Sequence, residues 1–217
     1  MAAMLAAMFV ALFGCGNQDK APQQSDTTAT TAAAPEIGLH AAIVAGDLDA
    51  IRQHIKAGSD LNEMEPTRAS TPLITAAAFG KPEAANLLID AGADLNAQNT
   101  DGSTALHTAA AFGKTEVAKL LIDAGIGLDI KNKEGSTALH TAAFMGHKEI
   151  VAAMLAKGAD KTVKNGAGKT AYETVEAPFE EVKPVYDAVG AGLASMGVKL
   201  DYDYIKGVRP EIAEMLK

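Results

Sequence analysis

The stretch Thr104–Ser136 reads TALHTAAAFGKTEVAKLLIDAGIGLDIKNKEGS. A close copy precedes it, TPLITAAAFGKPEAANLLIDAGADLNAQNTDGS at Thr71–Ser103, and another follows, TALHTAAFMGHKEIVAAMLAKGADKTVKNGAGK at Thr137–Lys169; each is 33 residues long. A fixed period of this size predicts a solenoid, in which each unit buries its apolar face only against its neighbours. A looser copy, Ile37–Ser70, has 34 residues, and its one insertion is expected within Glu63–Ala69. A partial fifth copy begins at Thr170 with TAYETV and then loses the pattern.

Within a block, Ala105–Phe112 is short, apolar and ends at Gly113, which predicts a helix and its stop. Thr115–Asp123 follows, with Val117, Leu120 and Leu121 on one face at helical spacing. Thr115 is expected to cap this second helix, with Glu116 favourably placed in its first turn. In the preceding block Pro82 takes the first-turn position, where its missing N–H costs nothing. Gly92, Gly125 and Gly158 stop the second helices, and polar, turn-rich tracts such as Ala97–Gly102 follow. Helices this short are marginal alone, so Leu87, Leu88, Leu120, Leu121, Met154 and Leu155 must bury against neighbouring repeats. Each such side chain contributes about 1.5–3 kcal/mol when fully buried.

The recurring T-x-L-H-x-A-A…G…L-L…G-A-D-x-N pattern resembles the ankyrin repeat over Ile37–Val175. The resemblance implies a helix–turn–helix–finger unit and an all-α solenoid of about four repeats. It also implies a protein-binding role without chemistry, and that His40, His107 and His140 link their helices to neighbouring finger backbone. Ile74 interrupts that series. It further implies that the residue before each inter-helix glycine, the one preceding it and the finger tips face a concave partner surface. Those positions hold Phe79, Phe112 and Met145, with Phe144 beside the last, and Thr100, Asp101, Ser103, Lys133, Glu134 and Ser136 on the fingers. Large apolar side chains there read as a ladder of partner anchors, since aromatic residues dominate interface hot spots. The opposing reading is that these rings lie back on adjacent Ala-rich helices.

The ends of the chain divide as 1–15, 16–36 and 176–217. Met1–Gly14 is an apolar run of fourteen residues, short of the roughly 20 that span a bilayer, and reads as a signal-peptide core. Cys15 is the only cysteine, and Leu12-Phe13-Gly14-Cys15 resembles the lipobox of bacterial lipoproteins. That resemblance implies a lipidated Cys15 and a location in the bacterial cell envelope, facing the periplasm or exterior. A cleaved ordinary signal with secretion, or a structural cysteine, are the alternatives. Gly16–Pro35 is polar and low in complexity, and reads as a disordered tether. Ile37–Ser70 caps the array, with a second helix made polar by Arg52, Gln53, His54 and Lys56. Beyond Val175 a helical cap is expected: a longer helix over Pro178–Met196, and a short one, Glu211–Leu216, opened by Pro210.

Composition narrows function further. The chain of 217 residues carries a net charge of −8, no Trp and 5% aromatic residues. No basic stripe is present, so nucleic acid is not an expected partner, and a basic protein surface would be favoured. His54 and His147 read as surface residues. Gly168-Lys169-Thr170 imitates the end of a phosphate loop, but Val163 stands where that motif needs glycine. Asp201 and Asp203 lack the glycine and later glutamate of a calcium loop and read as flanking a solvated turn. Ser103, Ser136 and Ser195 have no nucleophile-elbow context. No cofactor or metal is expected, and the chain reads as a monomer that binds an unidentified protein. The rival class is an enzyme or small-ligand protein with a site between array and tail, around Tyr172, Tyr186, Tyr202 and Tyr204.

Overall fold

The computed structural model describes residues 33–194 and 198–217. The signal-peptide, lipidation and most of the tether readings lie outside the described residues, as does Ser195. The described chain is helical, and four antiparallel helix pairs follow the repeats: α1 (Leu39–Ala45) with α2 (Leu48–Ala57), α3 (Pro72–Phe79) with α4 (Pro82–Asp90), α5 (Ala105–Ala111) with α6 (Thr115–Asp123), and α7 (Ala138–Met145) with α8 (Lys148–Ala156). The single turn α9 (Ala171–Val175) starts a fifth unit, and the tail adds α10 (Phe179–Ala194) and α11 (Tyr202–Leu216).

Alanines hold the inner helices close. Ala76, Ala77, Ala109, Ala110, Ala142 and Ala143 are fully buried between successive repeats. Leu88, Leu121 and Met154 fill the space between inner and outer helices. Pro82 opens α4 as expected, whereas α6 begins at Thr115 itself, with Lys114 at its N-cap and no side-chain cap.

The inter-helix glycines form a second column of contacts. Gly113 adopts φ +62°, and a Cβ there would fall 2.5 Å from Cε1 of His147, which lies over it. Lys114 covers Gly80 and Lys81 covers Gly46 in the same way. At Gly146 the register passes to the tail, where Val208 and Ile205 of α11 take the place of a fifth repeat. His147 is therefore half-buried rather than a surface residue. His54 is also buried; its Nε2–H donates to the Ile37 carbonyl at 2.7 Å and Ser59 Oγ lies 3.0 Å from Nδ1.

The expected histidine role is visible in the geometry. His107 Nε2–H donates to Ser136 O, and His140 Nε2–H to Lys169 O, both at 3.0 Å. A carbonyl can only accept, so the proton sits on Nε2 and Nδ1 accepts from the N-cap hydroxyls of Thr104 (2.9 Å) and Thr137 (2.8 Å). In the first repeat Ile37 offers no hydroxyl, and His40 Nδ1 instead takes Thr75 Oγ1 across the repeat boundary at 2.8 Å.

The fingers stack through main-chain bonds. Thr100 N donates to Arg68 O, Lys133 N to Asp101 O and Gly166 N to Glu134 O, at 2.8–3.0 Å. Inside each finger an asparagine closes the turn: Asn99 Oδ1 accepts from Asp101 N and Ser103 N, and Asn132 Oδ1 from Glu134 N and Ser136 N. The first finger is one residue longer, and Glu65 does the same work with a longer side chain. Its carboxylate accepts from the backbone N–H groups of Thr67, Arg68 and Ser70. Burial opposes ionisation, yet these bonds and the Thr67 hydroxyl bring the Glu65 pKa down to about 2. Ala69, at φ +49°, stands where the later fingers have glycine.

The tail departs most from expectation. Instead of a short Glu211–Leu216 helix, α11 runs from Tyr202, and Asp201 caps it by accepting from Tyr204 N at 3.0 Å. Pro210 lies inside α11 and Pro184 inside α10. Each leaves one carbonyl a turn earlier without its partner. Those residues, Lys206 and Glu180, are exposed, which leaves their carbonyls within reach of solvent. Arg209 is 2% exposed. Its Nη1 donates to the Tyr186 hydroxyl (2.8 Å) and its Nη2 to Ala177 O (2.8 Å) and Thr174 O (3.4 Å). A buried cation thus sits on the negative C-terminal end of α9, joining α9, α10 and α11.

Candidate binding groove on the concave face

The inner helices and fingers of the first three repeats, with Thr141 of α7, line an open groove of about 590 Å³. Its floor carries Val44, Phe79 and Phe112, and its finger wall carries Glu65, Arg68, Asp101 and Glu134. Ser103 lines it as well, while Thr100, Lys133 and Ser136 belong to the fingers but not to the groove lining. The large rings sit there because each ends an inner helix, just before the glycine that turns the chain outward.

The expected four-residue ladder is not uniform. Phe79 is 54% exposed and Phe112 is half-buried, both on the groove. Met145 is only 7% exposed, because α11 packs on the adjoining Gly146. Phe144 is covered by Tyr186, whose ring stacks on it with centroids 4.2 Å apart and planes 6° apart. The Tyr186 hydroxyl also donates to Phe144 O at 2.5 Å. The ladder therefore has two open rungs, Phe79 and Phe112, and its last two positions serve as the seat of the tail. Val44, at 41% exposure, extends the floor toward the N-terminus. Register alone could have found it, since Val44 occupies the place of Ala78, Ala111 and Phe144. Glu65 and Arg68 were hidden by the insertion in the first finger.

Three tyrosines of the alternative reading, Tyr186, Tyr202 and Tyr204, act as fasteners. Tyr186 is fully buried; burial raises its phenol pKa against the opposing pull of Arg209, keeping it a donor. Tyr202 OH donates to Tyr186 O and Tyr204 OH to Gly146 O, both at 3.4 Å. Tyr172 borders a separate hollow of about 360 Å³ between α9 and α11. Among the described residues no group of His, Cys, Asp and Glu is placed to hold a metal ion. Burial lowers the pKa of His107 and His140 against the opposing effect of their carbonyl partners, which suits neutral structural links. No described helix is long and apolar enough to cross a membrane.

Comparison with known proteins agrees with this geometry. The chain is similar to protein phosphatase 1 regulatory subunit 27 of Mus musculus, 39% identical over 64 residues, covering 30% of this chain and 41% of that protein. It is also similar to the DNA-binding protein RFXANK of Homo sapiens, 33% identical over 70 residues, covering 32% of this chain and 27% of that protein. The chain thus spans less than half the length of these relatives, and each match is about two repeats long. The family model for ankyrin repeats (3 copies) matches residues 39–132 and 74–165, more than half of the chain. With its paired helices, stacked fingers and histidine links, the chain belongs to the ankyrin repeat family.

Proposed function

We propose that this chain is a non-enzymatic module that binds a protein partner in the concave groove. The observation that carries the reading is Phe79. A half-exposed aromatic ring on the floor of an open groove is unfavourable in water and favours a surface that covers it. The relatives bear names with different duties, a phosphatase regulatory subunit and a DNA-binding protein, so what they have in common with this chain is the repeat surface rather than an activity. The net charge of −8 works against a nucleic acid partner.

The proposal extends to the N-terminus. A fourteen-residue apolar run directly before the single Cys15, followed by the polar stretch Gly16–Pro35, supports a lipid-anchored protein of the bacterial envelope. Two or more acyl chains at Cys15 would hold it stably on a membrane.

Affinity capture with the intact chain, run beside Phe79→Asp and Phe112→Asp, tests the groove. Each variant should cost at least about 2 kcal/mol of affinity for the captured partner, as central hot spots do. Phe79→Asp should melt like the wild type, because its ring is largely outside the core. Partner capture unchanged in both variants would overturn the reading.

A further inference from the structure

The charges on the groove wall identify the kind of partner, given that the concave groove is the binding surface. We propose that the groove receives a basic peptide segment whose Lys or Arg side chains flank two large apolar anchors. The floor supplies the apolar half of the match through Val44, Phe79 and Phe112. The wall supplies the charge through Glu65, Asp101 and Glu134, with Arg68 as the single Lys or Arg lining the groove.

Two features make these carboxylates suited to a partner. The main-chain carbonyls of Asp101 and Glu134 are tied into the finger stack by Lys133 N and Gly166 N, which fixes where the side chains start. The carboxylates themselves enter no ion pair among the described residues, although lysines and arginines elsewhere pair with Asp49, Asp123, Glu180, Asp187, Glu211 and Glu214. Glu65 is spoken for by its own loop, where its bonds keep it ionised, so it adds field rather than a free partner.

The geometry also gives the segment a spacing and a direction. Packed helices lie about 8–10 Å apart, so Phe79 and Phe112 stand roughly one repeat apart, as do Asp101 and Glu134. Two apolar side chains at i and i+7 of a helix, on one face and about 10 Å apart along its axis, match that step. Arg68 and Glu65 offset each other at the first-repeat end, which leaves Asp101 and Glu134 as the net negative groups of the wall. The basic residues of the segment therefore fall beside the second and third repeats.

Selection of a random peptide library on the intact chain tests this. The enriched peptides should carry at least two Lys or Arg together with two large apolar residues, and should be lost on Phe79→Ser. The Asp101→Asn, Glu134→Gln double variant changes only exposed groups and should keep its melting temperature. It should bind those peptides about tenfold more weakly at low salt, with the gap closing at high salt. Enrichment of acidic or uncharged peptides that still need Phe79 overturns the basic partner while leaving the concave groove. Basic peptides indifferent to Asp101 and Glu134 overturn it too. Peptides indifferent to Phe79, or no enrichment at all, remove both the partner class and the groove.

Discussion

Tyr186 of α10 stacks on Phe144 of α7 and donates its hydroxyl to the carbonyl of the same residue. One side chain thus covers an aromatic ring at the end of an inner helix and satisfies an orphan carbonyl of that helix. It is also the only buried residue of α10, whose other ties to α11, such as Glu180 with Lys206, are exposed. Tyr186→Ala should cost about 3–5 kcal/mol, in the range of large-to-small aromatic changes. Hydrogen exchange should then rise across α10 and around Arg209, which loses a hydrogen-bond partner, while α1 to α6 keep their protection. Undisturbed protection of α10 would show that other contacts hold the tail.

Gly113 tests the coupling between repeats. Gly113→Val meets both a left-handed φ and the His147 ring, so it strains its own turn and displaces the next repeat. Backbone strain of this kind costs about 1–3 kcal/mol, before any clash is counted. Because repeats depend on their nearest neighbours, faster exchange should spread from α5 and α6 into α7 and α8. Faster exchange confined to Ala105–Asp123 would contradict that coupling.

Acid should weaken the array in two stages. Burial holds the folded pKa values of His107 and His140 below 6.5. Their contribution is fully present above the unfolded value and is lost as pH falls from about 6.5 through the folded values. His107→Asn and His140→Asn should each cost about 1–2 kcal/mol near neutrality and flatten the fall between pH 7 and 5. Glu65 acts lower, its stabilisation being present above 4.5 and lost as pH approaches about 2. Melting temperatures of wild type and variants across pH 8 to 3 give the comparison. A wild-type melting temperature that is level between pH 7 and 5 would contradict the histidine assignment.

The proposed anchor is tested at Cys15. Cys15→Ser should move the protein from the membrane to the soluble fraction, and the wild-type N-terminus should carry acyl mass. Equal fractionation of the two, with no lipid on the wild type, removes the envelope proposal without touching the groove.

The repeat period made the array readable, because a solenoid repeats its contacts whenever it repeats its residues. The glycines, the histidine links and Pro82 therefore sit where the pattern puts them. Where the period fails, the chain is less legible. Asp201 was readable as a turn residue, but its capping of α11 depends on Ile205, Val208 and Ile212 finding the end of the array. Pro210 suggested a helix start and instead lies inside one, since packing on α9 outweighs the loss of one exposed hydrogen bond. The same cause changed the ladder. Phe79, Phe112 and Met145 are equivalent in register, yet Met145 is buried because its neighbour on the C-terminal side is the tail rather than another repeat. His147 looked like a surface residue because nothing local marks the glycine of the preceding repeat as its contact.

The most direct test of the central claim is hydrogen exchange on the intact chain, free and bound to its captured partner. Slowed exchange should concentrate in α3, α5 and the finger segments 65–70 and 99–103, where the groove lies. The outer helices α4 and α6 should change little. Slowing on α4 and α6 with the groove segments unaltered would place the partner on the convex side and contradict the account.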